Sequence, residues 1–187
     1  GVHGKAVNFN EPNADESAYA ESRVDLFEFD AYFIRGDWTV QGQVSVGKQK
    51  SAAVTADPTT GDLRDASWWG LSTLAAYKWT PRVETTARFD YLNNKKNGGG
   101  LLGYTASDDR NGIGPGFTFD ETTQTWVQAS PDTGANRMAL TLGASWLFNM
   151  NTTFKAEYRL DRANQRVFVD VKDGSYSKTN HLFGTSV

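Results

Sequence analysis

Apolar and polar residues alternate with a period of two along most of this chain, and helical spacing is scarce. Seven long runs read as strands: Val24–Arg35, Asp37–Lys48, Ser67–Trp79, Arg82–Asn93, Arg137–Phe148, Asn151–Arg162 and about Tyr176–Val187. A shorter stretch, Val2–Phe9, reads as the end of an eighth. Ordinary globular strands average about 5–6 residues. A tilted strand crossing a bilayer needs about 9–11, which these runs supply.

Sorting the first six strands by parity separates two faces. One carries Phe27, Phe29, Ala31 and Phe33, then Trp38, Val40, Gly42, Val44 and Val46. It continues through Trp69 to Trp79, Val83 to Tyr91, Met138 to Phe148 and Thr152 to Leu160, taking every second residue. None of its 31 positions is charged. The other face has 28 positions, of which 12 are charged: Glu28, Asp30, Lys78, Arg82, Glu84, Arg88, Asp90, Arg137, Lys155, Glu157, Arg159 and Asp161.

An antiparallel sandwich also alternates apolar-in and polar-out. Two further features favour a transmembrane β-barrel over a sandwich. Aromatic residues gather toward strand ends, with Phe33 and Trp38 at one turn, Tyr77 and Trp79 at the next, and Phe148 and Phe154 at a third. An interfacial girdle explains that placement, because amphipathic rings favour the headgroup level. The connections also alternate. Gly36, Thr80–Pro81 and Asn149–Met150 are short, whereas Gln49–Ala66, Asn94–Asn136 and Ala163–Ser175 are long. Outer-membrane barrels pair short periplasmic turns with long extracellular loops. The expected fold is all-β, one domain over residues 1–187, with seven full strands and part of an eighth from a larger antiparallel transmembrane barrel. On this scheme Val2–Phe9 is a strand lacking its beginning, so the polypeptide is expected to extend before Gly1. Such barrels commonly finish on an aromatic residue, so it is also expected to extend beyond Val187.

Composition closes several other routes. The 187 residues carry a formal net charge of −3, which offers nothing to hold nucleic acid. There is no Cys, hence no disulfide framework and no thiolate metal site, and the two His residues, His3 and His181, are far apart. No metal or cofactor is expected. Asp108, Asp109 and Asn111 offer oxygen ligands but lack calcium-loop spacing. The Gly-rich runs lack the Lys-Ser/Thr of a phosphate loop. An enzyme would need a nucleophile within reach of a base, and Ser186 points to the opposite face from His181 in an extended strand. No catalytic residue is assigned.

The run from Lys95 to Tyr104 (Lys-Lys-Asn-Gly-Gly-Gly-Leu-Leu-Gly-Tyr), the turn from Phe148 to Arg159, and the end Leu182-Phe183-Gly184-Thr185-Ser186-Val187 carry a resemblance. They are similar to a proteobacterial family of longer, porin-like proteins described as a domain of unknown function, DUF3138. The resemblance covers most residues from 66 onward. It implies a Gram-negative outer-membrane location and a C-terminal aromatic residue, which this chain lacks. It implies no substrate and carries no catalytic motif.

The charged face is the main functional candidate, with six acids and six bases. Such charges suit a water-filled pore with a transverse field, or a salt-bridged wall that braces the barrel, or both. The expected function is passive diffusion of small hydrophilic solutes or ions. The alternative is a plugged structural barrel presenting its loops to other partners. The surroundings would be the lipid bilayer and lipopolysaccharide, and a homo-oligomer is compatible. The segment Phe117–Val127 reads as a small hairpin within the long loop. The long loop could fold into the lumen and narrow it, but nothing in the sequence anchors it inward, which favours an external or lid position. The loops lean acidic: Glu11, Asp15, Glu16 and Glu21 precede the first full strand, and Asn94–Asn136 carries five acids against three bases. A weak cation preference that fades with salt is therefore expected.

Overall fold

The computed structural model describes residues 2–5, 23–50, 59–61, 64–96, 116–129 and 133–187. Every regular element among them is a strand: β1 (Val2–Lys5), β2 (Arg23–Arg35), β3 (Trp38–Gln49), β4 (Ala66–Thr80), β5 (Val83–Lys96), β6 (Phe117–Asp120), β7 (Thr125–Gln128), β8 (Arg137–Asn149), β9 (Thr152–Ala163), β10 (Phe168–Val169), β11 (Tyr176–Ser177) and β12 (Thr179–Ser186). Eight form one antiparallel sheet in the order β1-β2-β3-β4-β5-β8-β9-β12, and β6-β7 and β10-β11 are separate two-stranded pairs.

The long strands therefore make a meander, interrupted twice by small hairpins. Closure is not seen among the described residues, where β1 pairs only with β2 and β12 only with β9. Residues 6–9 of the expected first strand lie outside the described residues, as do Asp108, Asp109 and Asn111. One expected element differs. Tyr176–Val187 is not a single strand, because Tyr176–Ser177 pairs with β10 while Thr179–Ser186 pairs with β9. The Ser177 carbonyl accepts from Val167 N–H at 3.0 Å, outside the main sheet, while its hydroxyl donates to Thr179 O at 2.6 Å.

Local chemistry explains the tight turns. Gly36 adopts φ +57°, a left-handed conformation that favours glycine, and closes β2 onto β3 with Asp37. Thr80 Oγ1 accepts from the N–H groups of Arg82 and Val83 at 3.2 and 3.1 Å, closing β4 onto β5. Asn149 Oδ1 accepts from Asn151 N–H at 2.9 Å. These three turns define one end of the sheet, and the long connections define the other.

Register then fixes the faces. Phe29, Val44, Leu71, Tyr91 and Met138 are successive cross-strand partners, as are Phe33, Val40, Ala75, Ala87, Leu142 and Tyr158. The uncharged residues of all six strands thus share one face. That face is not covered: Phe27 and Phe29 are each 63% exposed and Trp79 is 64% exposed. No second sheet lies over it among the described residues, so the sandwich arrangement is not formed. The buried apolar cluster is small and sits elsewhere, with Ala135, Ala163, Val167 and Phe168 at the loop end. At the turn end, aromatics pack on the uncharged face. Trp38–Tyr77 and Tyr77–Trp79 ring centroids are 4.7 and 4.8 Å apart, and Trp146 lies 5.4 Å from Phe148 and 5.9 Å from Phe154.

The uncharged band runs obliquely to the strands. On β2 its loop-end limit is Asp25, and on β9 it is Arg162. Arg162 shares a row with Met138, Tyr91, Leu71, Val44 and Phe29, and Phe29 is four residues from Asp25. The turn end shifts equally: the row of Arg35 reaches β9 at Ala156, and the band there continues four residues to Thr152. With five inter-strand steps from β2 to β9, about 3.3 Å per residue and about 4.8 Å per step, the obliquity is about 30°.

Candidate functional site: a charged wall under a loop cap

The face opposite the uncharged band carries the twelve charged candidates, with Arg82 in the turn just before β5. Their elements are the same strands read from the other parity. Asp161, Ala139, Asp90, Ser72, Gln43 and Asp30 form one row, and Arg159, Thr141, Arg88, Leu74, Gln41 and Tyr32 the next.

Five of the twelve come together. Arg88 Nε donates to both oxygens of Asp90 at 2.9 Å, and Ser72 Oγ donates to Asp90 Oδ1 at 2.6 Å. Two strands away, Asp161 Oδ1 accepts from Arg137 Nη2 at 2.9 Å and from Arg159 Nε at 3.0 Å. Both Arg-x-Asp pairs run along one strand, since residues i and i+2 share a face. Asp161 is fully buried, and its Oδ2 has no partner among the described residues. The small side chains of Ala139 and Thr141 on β8 leave a trough between Arg88 and Arg159. Gln43, Ser72, Arg88, Asp90, Arg137 and Arg159 line a depression of about 320 Å³ there.

The other seven do not join this network. Glu28, Asp30, Lys78, Arg82, Glu84, Lys155 and Glu157 form no ion pair among the described residues, although Lys78 lies opposite Glu84 in register. Glu28 and Asp30 stand exposed on β2, and the neighbouring β3 presents only neutral polar groups to this face, Thr39, Gln41, Gln43 and Ser45 among them. The wall therefore runs from the acidic β2, across the neutral β3, to an arginine-rich group. Ser72 and Thr141 escape sequence reasoning because a neutral hydroxyl on an alternating strand carries no distinguishing pattern.

A cap sits at the loop end. Phe117–Val127 is a hairpin as expected, formed by β6 and β7 with their pairing extending to Gln128. It docks on the β10–β11 hairpin. Phe117 stacks on Tyr176 at 4.0 Å, Arg166 lies over the Trp126 ring at 5.3 Å, and Gly116 N–H donates to Gln165 Oε1 at 2.9 Å. Val167 and Phe168 pack with Ala163, which belongs to the charged face of β9, and the Arg137 guanidinium lies 5.3 Å from the Phe168 ring centroid. The described part of the loop is thus held on the charged-face side of the sheet at its loop end. The aromatic anchors that hold it are spread from Phe117 to Tyr176, too far apart to be read as a unit. Both hairpin turns use aspartate: Asp120 accepts from Thr122 N–H at 2.8 Å and Asp173 from Ser175 N–H at 2.9 Å. These bonds hold both carboxyls below the usual aspartate range.

His181 lies on the uncharged face, where its Nδ1 is 2.7 Å from the Tyr158 hydroxyl, and Ser186 lies on the other face. The two are not brought together. Among the described residues no group of acidic, His or Cys side chains could hold a metal ion.

No curated protein and no solved structure matches the chain. Residues 5–187 match the family described as protein of unknown function (DUF3138), and the chain belongs to that family.

Proposed function

We propose that the eight-stranded sheet is part of the wall of a transmembrane β-barrel in a bacterial outer membrane, and that the barrel passes small hydrophilic solutes by diffusion. The observation that carries this reading is the oblique, uncovered, uncharged band. Barrel strands tilt by about 35–45° from the axis, so an apolar belt parallel to a membrane must cross them obliquely. On β5 the belt runs from Val83 to Tyr91, eight residues on. That is about 26 Å along the strand at 3.3 Å per residue, and about 23 Å after a 30° tilt, close to the roughly 25 Å apolar band of such barrels. No helix among the described residues is long and apolar enough to cross a membrane.

The charged face then lines the lumen. Passage is governed by size and by the field between the β2 acids and the arginine group. The cap over the mouth favours a second reading, a plugged barrel whose loops serve contact rather than passage.

Conductance in a planar bilayer tests the two. A conducting barrel gives discrete, ohmic steps. Protein that inserts, as shown by heat-dependent migration on a denaturing gel, but never conducts would overturn the channel and leave the plugged barrel.

A further inference from the structure

The loop-end rim of the uncharged face carries several cations, and two of them are neutralised locally. Arg23 Nε lies 2.8 Å from Asp25, and Lys48 Nζ lies 3.0 Å from Asp65. Arg162 and Lys178 differ, because neither has a carboxylate partner among the described residues. Together with Tyr91, Met138, Asn136 and Asn164 they line a depression of about 370 Å³.

The two asparagines are fixed by the backbone. Asn136 Oδ1 accepts from Asn94 N–H at 3.1 Å, and Asn164 Oδ1 accepts from Asn136 N–H at 2.8 Å. With both carbonyl oxygens committed, each side chain keeps its Nδ2 as a free donor. The site therefore offers a guanidinium, an ammonium and two amide donors, and no carboxylate. Donors in such excess recognise a phosphate.

Below the donors the surface turns apolar. Tyr91 packs on Trp69 at 5.1 Å, and the row nearer the turn end presents Phe89, Leu140 and Leu160. A phosphate seated on Arg162 would have hydrocarbon directly beneath it. Resting on the membrane reading above, we propose that this depression binds the phosphate headgroup of an anionic outer-leaflet lipid, with an acyl chain along Met138 and Leu140. Charge complementarity favours a lipid over a second copy of the chain, since the described rim acids that a copy would offer, Asp25 and Asp65, are already ion-paired.

The test uses the protein in phosphatidylcholine nanodiscs with a minor fraction of phosphatidylglycerol, with retained lipid read by native mass spectrometry. Insertion is checked first by heat-dependent migration; a protein that does not insert overturns the membrane reading itself. Inserted wild-type protein should retain phosphatidylglycerol over phosphatidylcholine. The double variant Arg162→Gln, Lys178→Gln should retain it about twenty-five-fold less well, taking about fivefold for each cation at a membrane surface. Arg162→Lys should keep most of the retention, and Lys172→Gln, at the tip of the β10–β11 hairpin, should keep all of it. Equal retention by the double variant and the wild type would overturn the site. Displacement of the lipid by inorganic phosphate alone would overturn the lipid assignment in favour of a free-anion site.

Discussion

Ala87 and Thr86 are neighbours on β5 that differ in little except the face they occupy. Ala87 is the middle of the five outward residues Val83, Thr85, Ala87, Phe89 and Tyr91, and its row partners are Ala75 and Leu142. No acid lies in that row to receive a cation. An arginine there sits about 13 Å along the strand from either edge of the band; if that face meets lipid, this is near the bilayer midplane, where it should cost about 2–4 kcal/mol. That corresponds to a roughly 30- to 700-fold loss in the folded fraction ratio. Thr86 lies between Ala76 and Gly143, and the same row reaches Glu157 on β9. An arginine there meets water and an acid, so it should change stability by no more than about 0.5 kcal/mol. Folding of Ala87→Arg and Thr86→Arg into phosphatidylcholine vesicles, followed by tryptophan fluorescence across a urea series, measures both. Equal midpoints would refute the assignment of faces.

Three other outcomes are expected. Asp161→Asn leaves Arg137 and Arg159 without their shared carboxylate and should cost about 3 kcal/mol in the same titration, whereas Asp90→Asn, whose partner Arg88 is half exposed, should cost less than about 1 kcal/mol. If the barrel conducts, Glu28→Gln with Asp30→Asn raises the net charge of the wall, six acids against six bases, and should move the reversal potential in a KCl gradient toward anion selectivity. The carboxyls of Asp120 and Asp173 titrate below the unfolded value of about 3.9, so the stability they lend is present above that value and is lost as pH falls through their lower folded values. Amide protection of Thr122 and Ser175 should fall in that acid range and remain level above it, as read by hydrogen exchange.

Much of the sheet was legible because period-two alternation over a long strand admits one register that keeps charge off a face. The six strands from Val24 to Arg162 end within about three residues of their expected limits, and cross-strand partners such as Ala87 and Leu142 fall on the expected face. Lys178 shows where this logic stops. Alternation continues through it, but the chain changes partners there, from β10 to β9, and no local pattern marks the change. The charge pairing was also hidden. Six acids and six bases allow many pairings, and it is the small Ala139 and the register of β8 that bring Arg137 onto the buried oxygen of Asp161 that Arg159 reaches from two residues away on β9. Thr141 illustrates the same limit: it alternates like Thr86, yet it is buried in the row it shares with Arg88 and Arg159, between the two, and is no neutral site for a new charge.

The central claim is that one face of this sheet meets lipid and the other meets water. The chain has no Cys, so single cysteines can be placed along β5 and spin-labelled without background. Labels at 84 to 91 in a bilayer should alternate, with oxygen accessibility highest at 85, 87 and 89 and accessibility to a water-soluble nickel complex highest at 84, 86, 88 and 90. Equal accessibility of both faces to the nickel complex would contradict the account.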